Sequence, residues 1–256
     1  GKYAYVTAST TLNIIDISNP ANMKIIASTT QLGVSGLVGD VIVNGNYAYV
    51  AATADDSLKI IDISNPYTPT VISTLKSSTR FDGVENMYLS GKYIYAGSTI
   101  DDMFTIIDVS DPRSPQVVGF YSSNAEIQDP RDIVVNGNYA YVAVRFGSDG
   151  VATGSHIAVL DISNPTGPTL LATSTTPLND ARGIDVVGRY AYVAEFGGDG
   201  FSVFDISNPR APVFVASTTD ATLLNGSSQV HVRGKYAYVG ATSADRITVI
   251  DISNPS

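Results

Sequence analysis

The chain contains no cysteine, no tryptophan and only two histidines, His156 and His231. The absence of cysteine excludes disulfides, thiolate metal sites and a cysteine nucleophile, and two histidines are too few for a multi-histidine metal centre. Charged side chains are scarce as well: they make up 15% of the 256 residues, where about 25% is usual in soluble domains. Several common classes of enzyme and metalloprotein are therefore excluded before any motif is considered.

Long apolar runs and positive charge are also in short supply. No stretch approaches the roughly 18 consecutive apolar residues of a membrane-spanning helix. Asp and Glu outnumber Lys and Arg by 24 to 15, which gives a formal net charge of −9. A chain with this balance is poorly suited to the phosphate backbone of nucleic acids. We therefore expect no membrane span in this chain, and no nucleic acid as its main partner.

A repeated pair of motifs fills the chain instead. The pattern Gly-x-Tyr-x-Tyr occurs six times, and its glycines are Gly1, Gly45, Gly91, Gly137, Gly188 and Gly234. Each copy is followed by an apolar-Asp-Ile/Val-Ser-Asn/Asp-Pro block, whose aspartates are Asp16, Asp62, Asp108, Asp161, Asp205 and Asp251. Self-similarity at a spacing of about 45 residues indicates a repeat architecture with six units.

Each repeat is predicted to form four short strands. In residues 38–76, the first apolar run ends in an Asn-Gly pair, which is typical of a two-residue hairpin, and the next run places Tyr47 and Tyr49 on one face. Asn65-Pro66 ends the third run because proline cannot donate to a sheet ladder, and a fourth run follows. Repeats of about 40–45 residues with four antiparallel strands are the signature of β-propeller blades.

The sequence therefore predicts an all-β, six-bladed β-propeller of four-stranded antiparallel blades, as a single domain over residues 1–256. The chain opens on the second strand of a repeat and stops after a third strand. We thus expect the first blade to lack its inner strand and the last blade to lack its outer strand, and we expect the sequence to be a fragment of a longer protein. The segment from Arg145 to Ala158 makes the fourth repeat the longest and is predicted to be a loop.

The third strands of the repeats resemble those of a known family. LKIIDISNP, FTIIDVSDP, IAVLDISNP and ITVIDISNP are similar to the LVIVD repeat of bacterial and archaeal cell-surface proteins. The resemblance covers essentially the whole chain in six tandem copies. It implies a propeller with an extracellular or cell-surface location, and it implies no particular activity, because most members of the family lack one.

Residues that recur in every repeat are better explained by folding than by function, since a site on a pseudo-symmetric ring is normally asymmetric. The motif tyrosines are expected to pack between blades, and the motif aspartates are expected to accept N–H bonds across the Ser-Asn-Pro turn. A further set of aspartates, six residues before the motif aspartate, is expected to form turns, with a structural calcium ion as the alternative: Asp56, Asp102, Asp199 and Asp245. No other cofactor is expected.

Residues that differ between blades lie at the start of the innermost strands, at the mouth of the central channel. The candidate ligand-binding residues are Asp40, Glu85, Arg131, Asp132, Arg182, Asp185 and His231. The competing interpretation is that Asp40 and Asp132 hydrogen-bond the backbone between blades, because buried carboxylates need partners in any case. In that case the function lies in the outer loops or outside this sequence.

The chemistry of this mouth leaves two classes of ligand and two classes of function open. Acidic residues outnumber basic ones mainly on the face of the second-to-third-strand loops, which favours a cationic or neutral ligand, although Arg131 and Arg182 are placed to hold a carboxylate between them. An acidic surface also serves solubility alone. Asp185 and His231 fall on adjacent inner strands and, with Asp132, form the candidate catalytic set of an enzyme. No Gly-x-Ser-x-Gly motif accompanies them.

The leading hypothesis is a non-enzymatic binding or structural module, on a cell surface or secreted. The alternative is a hydrolase or lyase with its site at the channel mouth. The expected partner is a protein or a carbohydrate at the acidic loop face. Three aromatic residues in loops of that face, Phe81, Phe146 and Phe196, either contact such a partner or cap the core.

Overall fold

The computed structural model describes residues 1–29, 32, 38–146 and 153–255. They form six antiparallel sheets, the blades of a six-bladed β-propeller. By contacts, the chain divides into two compact units, residues 1–101 with 105–118, and residues 102–104 with 119–256. The helices of the described residues are two 3-10 turns, Thr53–Asp55 and Thr242–Ala244, and no helix there is long and apolar enough to cross a membrane.

Blades one to three follow one another along the first part of the chain. Blade one contains β1 (Tyr3–Ala8), β2 (Thr11–Asp16) and β3 (Lys24–Thr29). Blade two contains β4 (Val41–Asn44), β5 (Tyr47–Ala52), β6 (Ser57–Asp62) and β7 (Thr70–Lys76). Blade three contains β8 (Val84–Ser90), β9 (Tyr93–Ser98), β10 (Met103–Asp108) and β11 (Gln116–Ser122). In each sheet the strands lie side by side in sequence order.

Blades four to six repeat the arrangement in the second part of the chain. Blade four contains β12 (Pro130–Asn136), β13 (Tyr139–Val144), β14 (Thr153–Asp161), β15 (Thr169–Thr173) and β16 (Leu178–Asn179). Blade five contains β17 (Ala181–Val187), β18 (Tyr190–Glu195), β19 (Gly200–Asp205) and β20 (Val213–Thr219). Blade six contains β21 (Ser227–Arg233), β22 (Tyr236–Ala241) and β23 (Arg246–Asp251).

The strand counts confirm the predicted fold, with one correction in blade four. The first and last blades have three strands each, as expected. Blade four has five strands where four were predicted, because the start of β14 extends beyond the sheet and pairs with β16 at Thr153 and Ser155. Part of the segment predicted as a loop from Arg145 to Ala158 is therefore strand, and residues 147–152 of it lie outside the described residues.

The motif aspartates act as turn acceptors, which confirms their predicted role. In all six blades the Oδ1 atom accepts the backbone N–H of the serine two residues later, at 2.8–2.9 Å. In three blades a basic residue from the Gly-x-Tyr motif of the same blade pairs with the other oxygen. These ion pairs are Lys92–Asp108, Arg189–Asp205 and Lys235–Asp251. In these three blades the ion pair links the start of the second strand to the end of the third, on the side that carries the hairpin between the first two strands (the hairpin side).

The second tyrosine of the motif packs between neighbouring blades, as predicted. Tyr49 of blade two is 2% exposed and lies in one cluster with Phe81, Met87 and Ile94 of blade three. Tyr192 of blade five is buried in the same way against blade six. Burial raises the pKa of both hydroxyls above the ordinary tyrosine value. Tyr49 thus joins blade two to blade three and Tyr192 joins blade five to blade six, whereas Tyr238 of blade six is 40% exposed.

The aspartates six residues before the motif aspartate form turns, also as predicted. All of them adopt the left-handed conformation, with φ between 47° and 50°: Asp56, Asp102, Asp199 and Asp245. Aspartate tolerates this region better than most residues because its short side chain bonds locally. The carboxylates of Asp102 and Asp199 also accept an N–H from the loop of the next blade, at 2.8 and 3.0 Å.

Candidate functional site

Asp40, just before β4, bridges blades two and three. Its Oδ1 accepts the Val41 N–H at 2.7 Å, and its Oδ2 accepts the Met87 N–H of blade three at 3.3 Å. Its own N–H donates to the carbonyl of Glu85 at 2.9 Å. A Cβ added to Gly39 would lie only 2.6 Å from that carbonyl oxygen, so the two blades meet backbone to backbone. Burial raises the pKa of Asp40 above the ordinary value, although the two N–H bonds act in the opposite direction.

Asp132 and Asp185 make the same kind of bridge in the second unit. Asp132 Oδ1 accepts the N–H of the next residue in β12, and Oδ2 accepts the Ile184 N–H of blade five, both at 2.9 Å. Asp185 Oδ1 accepts the Val186 N–H at 2.8 Å, and Oδ2 accepts the Val232 N–H of blade six at 2.7 Å. Each carboxylate therefore has one oxygen on its own blade and one on the following blade.

These contacts are the ones that the competing interpretation of the sequence requires. Both oxygens of Asp40 and of Asp132 accept an N–H from the backbone at the junction of two blades. A carboxylate used in this way stabilises the junction, because each buried N–H needs an acceptor. It is correspondingly less suited to bind a cation or to remove a proton from a substrate. Among these residues, the geometry favours the arginines over the aspartates as ligand contacts.

Arg131 and Arg182 belong to one ion cluster in blades four and five. Arg131 bonds Asp129, with Nε 2.7 Å from one carboxylate oxygen and Nη2 2.9 Å from the other. Of these two contacts only the one from Nη2 is a hydrogen bond, whereas Arg182 donates two hydrogen bonds to Asp180, at 3.1 and 2.9 Å. Arg145, whose side chain is only 6% exposed, lies 3.3 Å from Asp129 and 3.6 Å from Asp180 and links the two pairs. The sequence analysis thus identified two of the five members.

The two aspartates of this cluster replace glycine in the repeat. Asp129 and Asp180 directly precede the inner strands of their blades, where blades three and six have Gly83 and Gly226. All of these positions have positive φ, 45° and 55° at the aspartates and 72° and 67° at the glycines. The pattern Asp-x-Arg at 129–131 and at 180–182 is the sequence signal that could have found the cluster.

Burial raises the pKa of Asp129 above its ordinary value, while the hydrogen bond from Arg131 and the charges of Arg131 and Arg145 act against that rise. Asp102, whose carboxylate accepts the Asp129 N–H, adds a like charge that raises it further. The side chain of Asp180 is only 5% exposed. Asp180 is therefore the most buried aspartate of the cluster, and the side chain of Arg182 is the most exposed of its arginines.

The three loop aromatics have different surroundings. Phe81 is fully buried in the core between blades two and three, so it caps the core. The ring centre of Phe146 lies 6.5 Å from that of His156. Phe196 lies under Arg182, with the guanidinium carbon 3.5 Å from the ring centre. Stacking of this kind holds the guanidinium plane in one orientation.

His231 lies beside Asp185, as the sequence predicted. Its Nδ1 is 3.4 Å from Asp185 Oδ2, and its side chain is 73% exposed. The oxygen that it faces also accepts the Val232 N–H, so that oxygen is shared between the imidazole and the backbone. Glu85, at the position of Arg131 and Arg182 in its own blade, contacts Asp40 through its carbonyl. Among the described residues, no three side chains of His, Asp or Glu converge as metal ligands would.

Comparisons with solved structures agree with the fold. A functionally unknown protein from Desulfotomaculum acetoxidans superposes with a TM-score of 0.75 at 20% identity, covering 97% of this chain and 78% of that one. A protein from Lactobacillus plantarum gives 0.74 at 15% identity, covering 97% and 80%. Hydrazine synthase of Kuenenia stuttgartiensis gives 0.72 at 18% identity, covering 99% and 81%. At such identities the likeness shows a common fold only.

Sequence comparison is more specific. No curated protein matches the chain by sequence. The model of the LVIVD repeat matches it six times, at residues 1–30, 35–76, 83–123, 129–176, 179–220 and 226–256. The matched segments correspond to the six blades and cover nearly every residue. This chain belongs to the family of LVIVD-repeat proteins.

Proposed function

We propose that this propeller is a non-enzymatic binding module, on a cell surface or secreted, and that it binds carboxylate groups of a partner protein or carbohydrate. The observation that carries the proposal is the arginine cluster at the start of the inner strands in blades four and five. It is the feature by which these two blades depart from the repeat, and an asymmetric feature on a pseudo-symmetric ring needs an explanation beyond folding.

The arginine side chains are the more exposed partners of the cluster's two ion pairs. The side chains of Arg131 and Arg182 are 20% and 26% exposed, whereas those of Asp129 and Asp180 are 15% and 5% exposed. A ligand that reaches this surface therefore meets guanidinium groups first. Guanidinium binds carboxylate in a planar, two-pronged geometry that lysine cannot reproduce.

Arg182 is better placed than Arg131 to bind a carboxylate. Its Nε and Nη2 atoms bond Asp180, and its face lies on Phe196. Among the described residues it has no further partner, so the Nη1 side of the guanidinium is available to a ligand. Because Asp180 and Phe196 already fix its orientation, less side-chain entropy is lost when a carboxylate binds. Asp132 and Asp185 would then hold the inner strands of blades four to six in place beside the ligand.

Calorimetric titration with two probes tests this function: hexaglutamate stands for an acidic peptide, and an oligogalacturonate stands for an acidic carbohydrate. We expect one of them to bind, more weakly at high salt because the contact is ionic, and about tenfold or more weakly to Arg182→Ala. Arg189→Ala is the matched control, because Arg189 pairs with Asp205 on the hairpin side. Equal loss in both variants, or no binding of either probe, would contradict the proposal.

The alternative of a hydrolase or lyase rests on the 3.4 Å approach of His231 to Asp185. An exposed imidazole oriented by a carboxylate is a possible general base. Screening of ester, glycoside and uronate substrates tests it, with His231→Ala as the inactive control. Turnover that disappears in this variant would favour the enzyme over the binding module.

A further inference from the structure

The contact between the outer strand of one blade and the turn of the next is built differently in blades one and two. In blade two, the hydroxyl of Ser73 in β7 donates to the carbonyl oxygen of Pro112, in the Ser-Asp-Pro turn of blade three, at 2.6 Å. The equivalent residue of β3 is Ala27, because Ile14 stands opposite Ala27 as Ile60 stands opposite Ser73. Alanine has no hydroxyl, so β3 makes no such hydrogen bond to the turn of blade two.

A groove of about 480 Å³ lies at this place between blades one and two. One wall is formed by residues 27–29 of β3, and the other by residues 67–70, which end the Ser-Asn-Pro turn and begin β7. Both walls are internal parts of the chain with their regular partners, since β3 pairs with β2 and the turn carries its backbone hydrogen bond from Thr68 to Asn65. The volume lies within the range of about 300–1,000 Å³ that is usual for small-molecule sites.

Tyr67 distinguishes this turn from the turns of the other blades. It is the only aromatic residue at its position in the six repeats, where the others have Ala21, Arg113, Thr166, Arg210 and Ser256. Its N–H donates to Asn65 Oδ1 and the Thr68 N–H donates to the Asn65 carbonyl oxygen, both at 3.1 Å, so the backbone that carries the ring is fixed. Tyr67 itself is 59% exposed. The turn therefore presents an aromatic ring to solvent where the fold requires none.

The rest of the groove is polar and uncharged. Ser28, Thr68 and Thr70 are exposed, and in the part of the chain that the structure describes their hydroxyls have no hydrogen-bond partner. The described lining residues include no charged side chain. Lys2 interacts electrostatically with Tyr67, and the same ammonium group interacts with Asp16. The groove thus offers hydroxyl groups and one aromatic ring, without a fixed charge in its walls.

We propose that this groove binds a neutral carbohydrate, with one sugar ring on Tyr67 and sugar hydroxyls bonded to Ser28, Thr68 and Thr70. A pyranose ring has an apolar face of C–H groups, which packs against an aromatic ring. Its hydroxyls replace the water molecules that otherwise solvate the hydroxyls of the groove. A charged ligand would find no counter-charge in these walls. The site is separate from the arginine cluster, so either proposal can fail without the other.

NMR titration of the intact, ¹⁵N-labelled chain tests this site with three disaccharides: cellobiose, maltose and N,N′-diacetylchitobiose. We expect at least one of them to shift the backbone amide signals of Ser28, Thr68 and Thr70 in a saturable manner. Glycerol is the control ligand, because it has hydroxyls but no ring, and it should leave these signals unshifted at the same concentration. Added salt should leave the affinity for the disaccharide unchanged, because no ion pair takes part.

Variants of the turn separate the ring from the hydroxyls. Tyr67→Ala should lower the affinity about tenfold, because the stacking surface is lost, and Ala21 shows that the same place of the blade-one turn accepts alanine. Tyr67→Phe keeps the ring and should retain most of the affinity. Thr68→Val combined with Thr70→Val replaces two hydroxyls by methyl groups of similar shape and should also weaken binding. Arg113→Ala is the matched control, because it shortens the side chain at the same place of the blade-three turn, and it should bind as the unchanged protein does.

Three results would overturn the carbohydrate site. The first is that none of the three disaccharides shifts these amide signals at millimolar concentration. The second is an equal shift with glycerol, which would show that the groove takes up any small polyol without recognising a sugar ring. The third is an equal loss of binding in Tyr67→Ala and Arg113→Ala, which would show that the ring of Tyr67 is not the contact.

Discussion

Replacing Asp132 with alanine would remove two hydrogen-bond acceptors from the junction of blades four and five. The N–H groups of Ile133 and Ile184 each lie 2.9 Å from a carboxylate oxygen of Asp132, and both of these isoleucines are buried. A buried N–H that loses its acceptor costs about 1–3 kcal/mol. We therefore expect Asp132→Ala to lower the free energy of unfolding by about 2–5 kcal/mol. Asp132→Asn keeps one acceptor oxygen and should lower it by about 1–3 kcal/mol.

Chemical denaturation measures this difference. Circular dichroism is the signal of choice because the chain has no tryptophan whose fluorescence could report unfolding. An unchanged m-value would show that the variants unfold from the same compact state. The control is Asp111→Asn, whose carboxylate accepts one exposed turn N–H, from Arg113 at 3.0 Å. The control should stay within about 0.5 kcal/mol of the unchanged protein.

One result would contradict the role of Asp132 as a junction residue. If Asp132→Ala unfolds like the control but no longer binds a ligand that the unchanged protein binds, Asp132 is a ligand contact and not a junction residue. The structural account of Asp40 and Asp185 would then fail with it, because all three carboxylates have the same arrangement of acceptors.

Four further outcomes are expected. Asp62→Ala should lower the free energy of unfolding by about 1–3 kcal/mol, because the Ser64 N–H loses its acceptor, while ligand binding stays intact in the folded protein. Gly119→Ala should lower the free energy of unfolding by about 1–3 kcal/mol, because the added Cβ would lie 2.0 Å from the Pro165 carbonyl oxygen. Gly200→Ala is the control: its Cβ meets only ordinary contacts, so the free energy of unfolding should change little. The free energy of unfolding should fall as the pH drops from about 4 towards 2. The reason is that ion pairs and hydrogen bonds hold the pKa of Asp55 and Asp108 at about 2, below the unfolded value of 3.8. Asp108→Asn should make this pH dependence weaker, and an unchanged pH dependence would contradict the assignment. A chelator should leave the melting temperature unchanged if the aspartates at left-handed positions serve as turns alone, and a drop would indicate bound calcium.

The fold was predictable because its signals are local and repeated. Tyr47 and Tyr49, the Asn-Gly hairpin and the Ser-Asn-Pro turn each specify a short piece of backbone, and six copies make their spacing unmistakable. The strand β16 was not predictable in this way. Its two residues show no strand pattern of their own, and they pair because the extension of β14 passes beside them. Such a strand depends on tertiary contact and not on local sequence.

The candidate site was predictable in position and only partly in role. Alternation along the inner strands placed Asp40, Asp132 and Asp185 on these strands; in the structure Asp40 directly precedes β4, and Asp132 and Asp185 lie within β12 and β17. It could not say whether their oxygens meet a ligand or a neighbouring backbone, because that depends on how close the next blade approaches. A Cβ atom added to Gly183 would lie only 2.8 Å from the Cα of Gln229, which shows how closely blades five and six approach each other. A carboxylate beside such a junction finds N–H groups within reach.

Arg145, Asp129 and Asp180 escaped the sequence analysis for a different reason. Arg145 follows β13, far in sequence from Asp180, and their pairing is visible only once both blades are folded. Asp129 and Asp180 have positive φ, where aspartate is common, so neither residue stands out in the sequence by itself. What distinguishes them is that glycine occupies the equivalent place in blades three and six.

The aspartates at positions 129 and 180 bear on function because their backbone conformation has an energetic cost. A left-handed conformation is unfavourable for a residue with a side chain, and glycine adopts it freely. At Asp129 and Asp180 the chain accepts this penalty and also buries two carboxylates, each of which then needs a guanidinium partner. Folding alone is served better by glycine, as Gly83 and Gly226 demonstrate in the neighbouring blades. The consequence of the aspartates is that Arg131 and Arg182 are held in place, with side chains that are 20% and 26% exposed. Two successive blades that accept this cost, and obtain fixed and partly exposed arginine side chains in return, are the physical ground for the proposed contact with a ligand.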